Sequence, residues 1–195
     1  MKRTLFSIVL LFIPVIFCAA QEHREPPVRR DPPVREAPAT SGWVRYSSPE
    51  GRYNVLMPTT PTLSTQDSKT ADGVKFLQYL ASASNDSELC LIGYFDHIPG
   101  STFSFDKARD GFVGAVNGTL VSESSISLGG YPGRQLKVVG KAADGVDYIL
   151  HVRIYDVRNR VYVVQFIIAR AADGDAVVNA DARKYFDSFS VSETP

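Results

Sequence analysis

Three consecutive β-strands predicted between residues 131 and 170 constrain the fold of this chain more than any other stretch. Residues 134–141 lead through a turn at 142–145 into residues 146–157, and Arg158-Asn159 turns the chain into Arg160–Ala169. In the last strand, residues 161–164 and 166–168 are apolar at odd and even positions alike. Because successive side chains of a strand point to opposite faces, both faces of this strand are predicted to be buried. A helix is the competing interpretation, which the β-branched and aromatic residues and the flanking turn signals disfavour.

The charge of the chain is unevenly distributed. The 195 residues carry 21 basic and 21 acidic side chains, of which six basic and four acidic lie in residues 1–42. Residues 43–193 are predicted to form one domain, since about 150 residues suffice for one hydrophobic core. Residues 43–195 have a net charge of −2, which argues against attraction to nucleic acid or anionic lipid.

The first twenty residues have the pattern of a signal peptide. A basic start at Lys2 and Arg3 precedes an apolar run, and small residues allow cleavage between Ala20 and Gln21. The run is too short for a comfortable membrane span. Export to the periplasm or the extracellular space is the expectation. One alternative is lipid attachment at Cys18, which a bulky Phe17 disfavours and which would tether the protein to a membrane. An uncleaved anchor is a further alternative and is less favoured still.

Residues 21–42 are predicted to be a disordered linker. They are rich in Pro and Arg, and residues 24–29 and 30–35 form a near-repeat with paired prolines. Paired prolines favour extended polyproline II structure, so the segment could act as a spacer from a membrane or wall. A ligand for a proline-recognising partner is the other functional interpretation, and a leader without a partner is the simplest one.

Two stretches change from the period of a strand to that of a helix. Residues 105–117 have an apolar stripe with Ser104 as predicted N-cap, and residues 176–189 have a second stripe after a turn that supplies an N-cap. Strands are predicted at 43–46, 53–58, 74–83, 89–95 and Thr119–Leu128, and a short tail at Ser190–Val191 is predicted to add to a sheet edge. The predicted class is α+β, with an antiparallel sheet of about six to seven strands and helices packed on its faces.

Four short motifs, in this order along the chain, resemble bacterial PsbP-like domains. They are a Trp-x-x-Tyr opening with a Ser-Pro-Glu-Gly-Arg turn and a strand ending in Met-Pro (43–58), Tyr131-Pro132-Gly133-Arg134, Arg158-Asn159-Arg160-Val161-Tyr162, and Phe186-Asp187-Ser188-Phe189. The resemblance spans residues 43–193 and implies an α/β/α sandwich around an antiparallel sheet. That family includes extrinsic subunits of photosystem II and many exported bacterial domains without assigned activity, so the resemblance transfers no catalytic or metal-binding residue.

The sequence holds few residues that could carry chemistry. No zinc-protease, redox, nucleophile-elbow or phosphate-loop motif is present, so no catalytic residue, metal site or cofactor is predicted. Asp96 and His97 are adjacent and cannot both point into one site without distortion. Cys90, in an apolar strand, is predicted to be a buried core residue. His151, Arg153 and Tyr155 share one face of a strand and are the candidate ligand-binding residues, with a half-exposed sheet face as the alternative interpretation.

Two functional hypotheses follow from these observations. The first is a non-enzymatic binding or accessory domain of the bacterial cell envelope, with an envelope protein as its partner. The second is a carrier of a small hydrophobic ligand or lipid, with a cleft between sheet and helix near His151, Arg153 and Tyr155. A hydrolase that pairs Cys90 with His151 is the least favoured reading, so the protein is predicted not to be an enzyme.

Overall fold

The computed structural model describes residues 8–9, 42–70, 74–142 and 145–192. Several predicted features lie outside the described residues: the cleavage site at Ala20 and Gln21, the possible lipidation residue Cys18, and nearly all of the linker. Residues 71–73 and 143–144, which belong to two predicted turns, also lie outside them. The strands are β1 Ile8–Val9, β2 Val44–Ser48, β3 Tyr53–Met57, β4 Thr62–Thr70, β5 Lys75–Ser84, β6 Glu88–Asp96, β7 Thr119–Leu128, β8 Tyr131–Lys141, β9 Asp147–Val157, β10 Arg160–Ala169 and β11 Ser190–Val191. The helices are α1 Phe105–Ala115 and α2 Ala176–Ser188, with a 3₁₀ turn at Arg170–Ala172.

The strands form two antiparallel sheets rather than one. The main sheet has the order β1-β4-β5-β6-β10-β9-β8-β7, and the second sheet has the order β11-β3-β2. The α+β class and the antiparallel sheet are therefore confirmed, whereas the assignment of all strands to one sheet is corrected. The strand β4 was not predicted, because its sequence between Thr62 and Thr70 is polar and alternates only weakly. The tail β11 does add to an edge, pairing Ser190 with Asn54 of β3.

Both helices begin at the caps that the sequence predicts. The Ser104 side chain accepts a hydrogen bond from the backbone N–H of Lys107 at the start of α1. Asp175 accepts bonds from the backbone N–H groups of Val177 and Val178 at the start of α2. These side chains satisfy donors that the first turn of a helix leaves without partners.

The strand β10 lies at the centre of the main sheet, between β6 and β9. Of the predicted apolar run, residues 161–164, Phe166 and Ile168 are buried, whereas Ile167 is only half-buried; the polar Gln165 is buried as well. Val161 and Val163 belong to a core cluster that also holds Ala108 and Phe112 of α1. Val164 and Phe166 belong to a second cluster that also holds Val178 and Tyr185 of α2. Since alternate residues point to opposite faces, the two clusters lie on opposite sides of β10.

Four tyrosines stand in one row across the main sheet. Tyr79 of β5 is opposite Tyr94 of β6, Tyr94 is opposite Tyr162 of β10, and Tyr162 is opposite Tyr155 of β9. The rings of Tyr79 and Tyr94 are stacked with centroids 4.9 Å apart. Phe189, which follows α2, contacts the other end of this tyrosine row, with centroids 5.8 Å from Tyr155 and 5.7 Å from Tyr162. The row thus joins four strands to the segment that leads into β11.

An ion network ties α1 to the outer strand β7. Arg109 of α1 lies 2.9 Å from Glu123 of β7, and Arg134 of β8 pairs with the other carboxylate oxygen of Glu123. Partial burial alone would raise the pKa of Glu123, but hydrogen bonds and charges from the two arginines outweigh that effect and lower it. β7 also has an irregular register between Leu120 and Ser122. An inward-pointing charge and a bulge are typical features of an edge strand that resists pairing with other chains.

Candidate functional site

The three residues that the sequence singles out share one face of β9, below α2. Arg153 has its guanidinium carbon 4.6 Å from the centroid of the Phe186 ring and an Nη1 atom 3.6 Å from an Asp187 carboxylate oxygen. Tyr155 is buried against Phe189. The rings of α2 and of the residue that follows it therefore occupy the space over two of these residues. That they bind a ligand stays a prediction.

His151, the third of these residues, is half-buried on the same face. Burial lowers the pKa of His151, and the positive charge of Lys137 lowers it further, while Asp173 acts in the opposite direction. The imidazole is therefore held toward its neutral form. A neutral imidazole on this face is suited to hydrogen bonding rather than to charge recognition.

Cys90 is fully buried, as predicted from its apolar strand. Cys90 and His151 are both paired with Phe166, from either side of β10, so the two side chains lie on the same face and are separated by one strand. Two strand spacings amount to about 10 Å, which is too far for a direct hydrogen bond. Burial, followed by the charges of Glu88 and Asp181, raises the pKa of the Cys90 thiol. A thiol held protonated is a weak nucleophile.

Asp96 and His97 point to different partners. Asp96 accepts a hydrogen bond of 2.7 Å from Nε of Arg160, and His97 Nε2 lies 2.7 Å from an Asp156 oxygen. This divergence is what their adjacency in the sequence predicts. In the part of the chain that the structure describes, no three His, Cys, Asp or Glu side chains form a group that could hold a metal ion.

A shallow depression lies where the β2–β3 and β9–β10 turns meet the C-terminal strand. Its lining includes three arginines and three neutral polar residues, namely Arg52, Arg158, Arg160, Tyr131, Asn159 and Ser192. Among the described residues that line it, none is acidic. We call it the arginine depression. Three of the four motifs quoted for the family resemblance contribute to it, although the first and third lie far apart in the sequence.

Two of these arginines have an unusual backbone conformation. Arg52 has φ 54° and Arg158 has φ 58°, both in the left-handed region that disfavours residues with a Cβ. Arg158 is the first residue of a two-residue hairpin loop, because Val157 pairs with Arg160. With a positive φ at that first position only, the loop has the pattern of a type II′ turn, which favours glycine there. Of the described non-glycine residues, only Asn117 also has a positive φ.

Hydrogen bonds from β10 hold the β2–β3 turn in place. Arg160 donates through Nη1 to the carbonyl oxygen of Glu50 at 2.6 Å, and the Tyr162 hydroxyl donates to the carbonyl oxygen of Gly51 at 2.7 Å. Arg160 also lies 4.6 Å from the Tyr94 ring centroid and is paired with Asp96. Arg160 therefore acts as a structural clamp, whereas Arg52 and Arg158 are the exposed cations of the depression.

Two further contacts orient the exposed arginines. Nε of Arg158 donates to the Tyr131 hydroxyl at 2.8 Å, which ties this side chain to the start of β8. The backbone N–H of Ser192 donates to the Arg52 carbonyl oxygen at 2.8 Å and fixes the end of β11 there. Local sequence patterns do not reveal this site, because arginines in separate turns give no local signal. Only the strand pairing brings these residues together.

Comparisons with known proteins bear on the fold. No protein-family model matches the sequence, and no curated protein gives a significant match. The solution structure of cyanobacterial PsbP from Synechocystis is similar over 78% of this chain and 94% of that chain, with a TM-score of 0.53 and 14% sequence identity. A crystal structure of a protein of unknown function from Pseudomonas aeruginosa is similar over 78% of this chain and 98% of that chain, with a TM-score of 0.42 and 11% identity.

Neither helix among the described residues has the length and apolarity needed to cross a membrane. At an identity of 14%, the likeness to cyanobacterial PsbP shows the fold alone. The chain thus has a PsbP-like α+β fold, in agreement with the motifs in its sequence.

Proposed function

We propose that this chain is an exported, non-enzymatic binding or accessory domain of the bacterial cell envelope. In this proposal residues 1–20 direct export, and cleavage occurs between Ala20 and Gln21. Residues 21–42 then act either as a spacer between the domain and a membrane or wall, or as a leader without a partner. The folded part would be a three-layered α/β/α sandwich. The two core clusters on opposite sides of β10, each with residues of one helix, support that layering.

The arginine depression is the observation that carries the binding role. It presents two exposed arginines, one on the β2–β3 turn that β10 clamps in place and the other on the tight β9–β10 turn. Rigid elements that display charged groups are suited to recognition, because little conformational entropy is lost on binding. The catalytic alternative has less support, since the thiol of Cys90 is buried and held protonated and is separated from His151 by a strand.

Capture from envelope extracts tests the binding role. The full chain would be compared with a chain lacking residues 21–42, with the double variant Arg52→Gln and Arg158→Gln, and with Arg45→Gln as a matched control, because Arg45 is an exposed arginine of β2 outside the depression. We expect one partner to be retained by the full chain and by the control, and lost by the double variant. Failure of the full chain to retain any envelope component would contradict the proposed function. If the double variant still retained the partner, the binding role would stand but the arginine depression would not be the binding surface.

Export is tested separately. The mature protein should be found outside the cytoplasm, and its first residue by N-terminal sequencing should be Gln21. A Cys18→Ser variant should be processed in the same way. A lipid-modified, membrane-bound product that depends on Cys18 would support the lipoprotein alternative instead.

The carrier hypothesis stays a prediction. Its three residues share a face, but Phe186 and Phe189 lie over Arg153 and Tyr155. A bound hydrophobic ligand would therefore require α2 to move away from the sheet. Native mass spectrometry of the purified protein would detect a ligand that co-purifies.

A further inference from the structure

We infer that an exposed face of β4 and β5 binds the Pro/Arg-rich near-repeat of the same chain, residues 24–35, so that this segment packs against the domain. We call the surface the β4–β5 face, and it consists of Leu63, Thr65, Asp67, Leu77 and Tyr79. The inference goes beyond the proposed function and does not depend on export, because the near-repeat precedes the domain whether or not residues 1–20 are removed.

The β4–β5 face is the uncovered part of a sheet surface that is otherwise buried. On this side of the main sheet, Ala81 of β5 is buried in the core cluster that also holds residues of β3. Leu63, which is opposite Ala81, is 62% exposed, and Tyr79, two residues before Ala81 on β5, is 40% exposed. The second sheet therefore covers one part of this surface and leaves an apolar part exposed.

Tyr79 is the central side chain of the β4–β5 face. Its ring stacks on the buried ring of Tyr94, with centroids 4.9 Å apart and an angle of 11° between the planes. Thr65 lies opposite Tyr79, and the exposed Leu77 is its neighbour on the same side of β5. The face thus presents an ordered aromatic ring to solvent. Aromatic surfaces of this kind bind proline-rich segments in the polyproline II conformation, which lose little conformational entropy on binding.

The charges of the face match those of the near-repeat. Asp67 is exposed on β4 and forms no ion pair with a described residue. Residues 24–29 and residues 30–35 each have an arginine at both ends and one acidic residue before the paired prolines. An arginine can pair with Asp67 while the prolines beside it contact the aromatic ring. Two exposed lysines opposite each other on the same side, Lys69 and Lys75, provide counterparts for the acidic residues.

The near-repeat is close enough along the chain to reach the face. It ends six residues before Gly42, which leads into β2. Tyr46 of β2 contacts Tyr53 with ring centroids 6.0 Å apart, and Tyr53 contacts Tyr94 at 6.1 Å. Only these two rings separate Tyr46 from Tyr79, and six extended residues span roughly 20 Å. Because the two partners are tethered, a weak contact suffices to keep them together.

Nuclear magnetic resonance of the ¹⁵N-labelled full chain tests the contact. The natural chain would be compared with a variant in which the four prolines of the near-repeat are replaced with alanine: Pro26, Pro27, Pro32 and Pro33. The backbone amides of Leu77 and Tyr79 should shift, whereas that of Val121, exposed on the opposite edge strand β7, should not. Spectra that agree throughout residues 43–192 would overturn the inference. Shifts that depend on protein concentration would show that a second copy supplies the segment, which would overturn the intramolecular contact.

A synthetic peptide of residues 23–36 gives a measurement that does not depend on the folding of a domain variant. Added to the proline-to-alanine chain, this peptide should cause saturable shifts of the Leu77 and Tyr79 amides. The same peptide with its four prolines replaced by alanine should bind at least about tenfold more weakly, because it lacks the preformed extended conformation. Equal binding of the two peptides, or shifts that never saturate, would contradict the inference.

Variants of the face identify the binding residues. Tyr79→Ser should weaken peptide binding by about tenfold or more, as expected for an aromatic residue at the centre of a contact. Asp67→Asn should weaken it by only about twofold to fivefold, since an exposed ion pair contributes little. Val121→Ser, which changes an exposed apolar residue outside the face, is the matched control and should bind as the natural domain does. Undiminished binding by a folded Tyr79→Ser protein, or an equal loss in Val121→Ser, would refute the assignment of this face.

Discussion

Replacing Gly133 with alanine should destabilise the protein, because the row of tyrosines leaves no room for a Cβ on β8 at that position. Gly133 is opposite Tyr155, the last tyrosine of the row. A Cβ added at Gly133 would lie 2.6 Å from Cδ1 of Tyr155 and 2.7 Å from the carbonyl oxygen of Ile154. The carbonyl belongs to the backbone of a central strand, and the Tyr155 ring is buried and stacked on Phe189. Neither obstacle can withdraw easily.

The expected cost follows from these contacts. Overpacking a well-packed core typically costs about 1–3 kcal/mol, and the fixed backbone oxygen places this variant toward the upper limit. The lower conformational entropy of alanine in the unfolded chain offsets about 0.5–1 kcal/mol. We therefore expect a net loss of about 2 kcal/mol in the free energy of unfolding. For a domain of this size, that corresponds to a decrease of about 4–8 °C in Tm.

Gly114→Ala provides a control with the opposite sign. Gly114 lies in α1, where an added Cβ meets no atom within 4 Å. Alanine should stabilise the helix by up to about 1 kcal/mol. Both variants would be measured by urea and thermal unfolding, followed by circular dichroism. A Gly133→Ala protein as stable as the natural chain would refute the close packing of Tyr155 on β8. Equal shifts in the two variants would refute the assignment of their different environments.

Three further predictions concern titratable and strained residues. Burial raises the pKa of Glu88; the hydrogen bond from Asn85 opposes this shift and the charge of Asp181 adds to it, so the charged carboxylate destabilises the folded state. Glu88→Gln should therefore raise the urea midpoint at pH 7, and the gain should disappear near pH 4, where the carboxyl is protonated in both states. A lower midpoint at pH 7 would contradict this prediction. Burial lowers the pKa of His151, so the unfolded chain takes up a proton more readily than the folded protein, and the free energy of unfolding should fall as the pH decreases through about 6.5. His151→Asn should reduce that loss of stability between pH 7 and 5. An unchanged dependence of stability on pH would argue against this prediction. Arg52→Asn should raise the free energy of unfolding by about 1 kcal/mol, because asparagine tolerates a positive φ better, and a lower Tm would show that the arginine stabilises the turn.

Local sequence patterns predicted the elements that bury a regular face. The continuous apolar run of β10 indicates a strand covered on both sides, and residues 161–166 are buried as expected. Capping signals located the starts of both helices, since Ser104 caps α1 as predicted and Asp175, which caps α2, ends the turn that was predicted to supply a cap. In each case the information lies within a few residues of the element. Patterns of this kind depend on periodicity and capping, which single sequences carry well.

Features that depend on pairing between distant strands were not predictable in the same way. The strand β4 is polar on both faces, and it is recognised only by its pairing with β5. The separation of β2, β3 and β11 into a second sheet depends on which edges remain available. Tyr185 was not assigned to the core, although it is fully buried and its hydroxyl donates to the Leu91 carbonyl oxygen at 3.0 Å.

The candidate site shows the same limit most clearly. His151, Arg153 and Tyr155 share a face because they alternate along one strand, which the sequence reveals directly. Arg52 and Arg158 come from separate hairpins, and their convergence follows from the clamp that Arg160 and Tyr162 make with the first turn. A positive φ at an arginine also leaves no trace in composition. The sequence could indicate a turn at each position, but not that the two turns meet.

The four aligned tyrosines have a consequence for how the chain folds. Each strand in the row has its ring on the side of α2, and the neighbouring residues, such as Val161 and Val163, face α1. A slip of one residue between any two of these strands would turn a bulky phenol toward the wrong side of the sheet and expose the aliphatic residues that belong there. A misaligned hairpin is therefore penalised at several strands at once, so the register of these four strands is strongly specified.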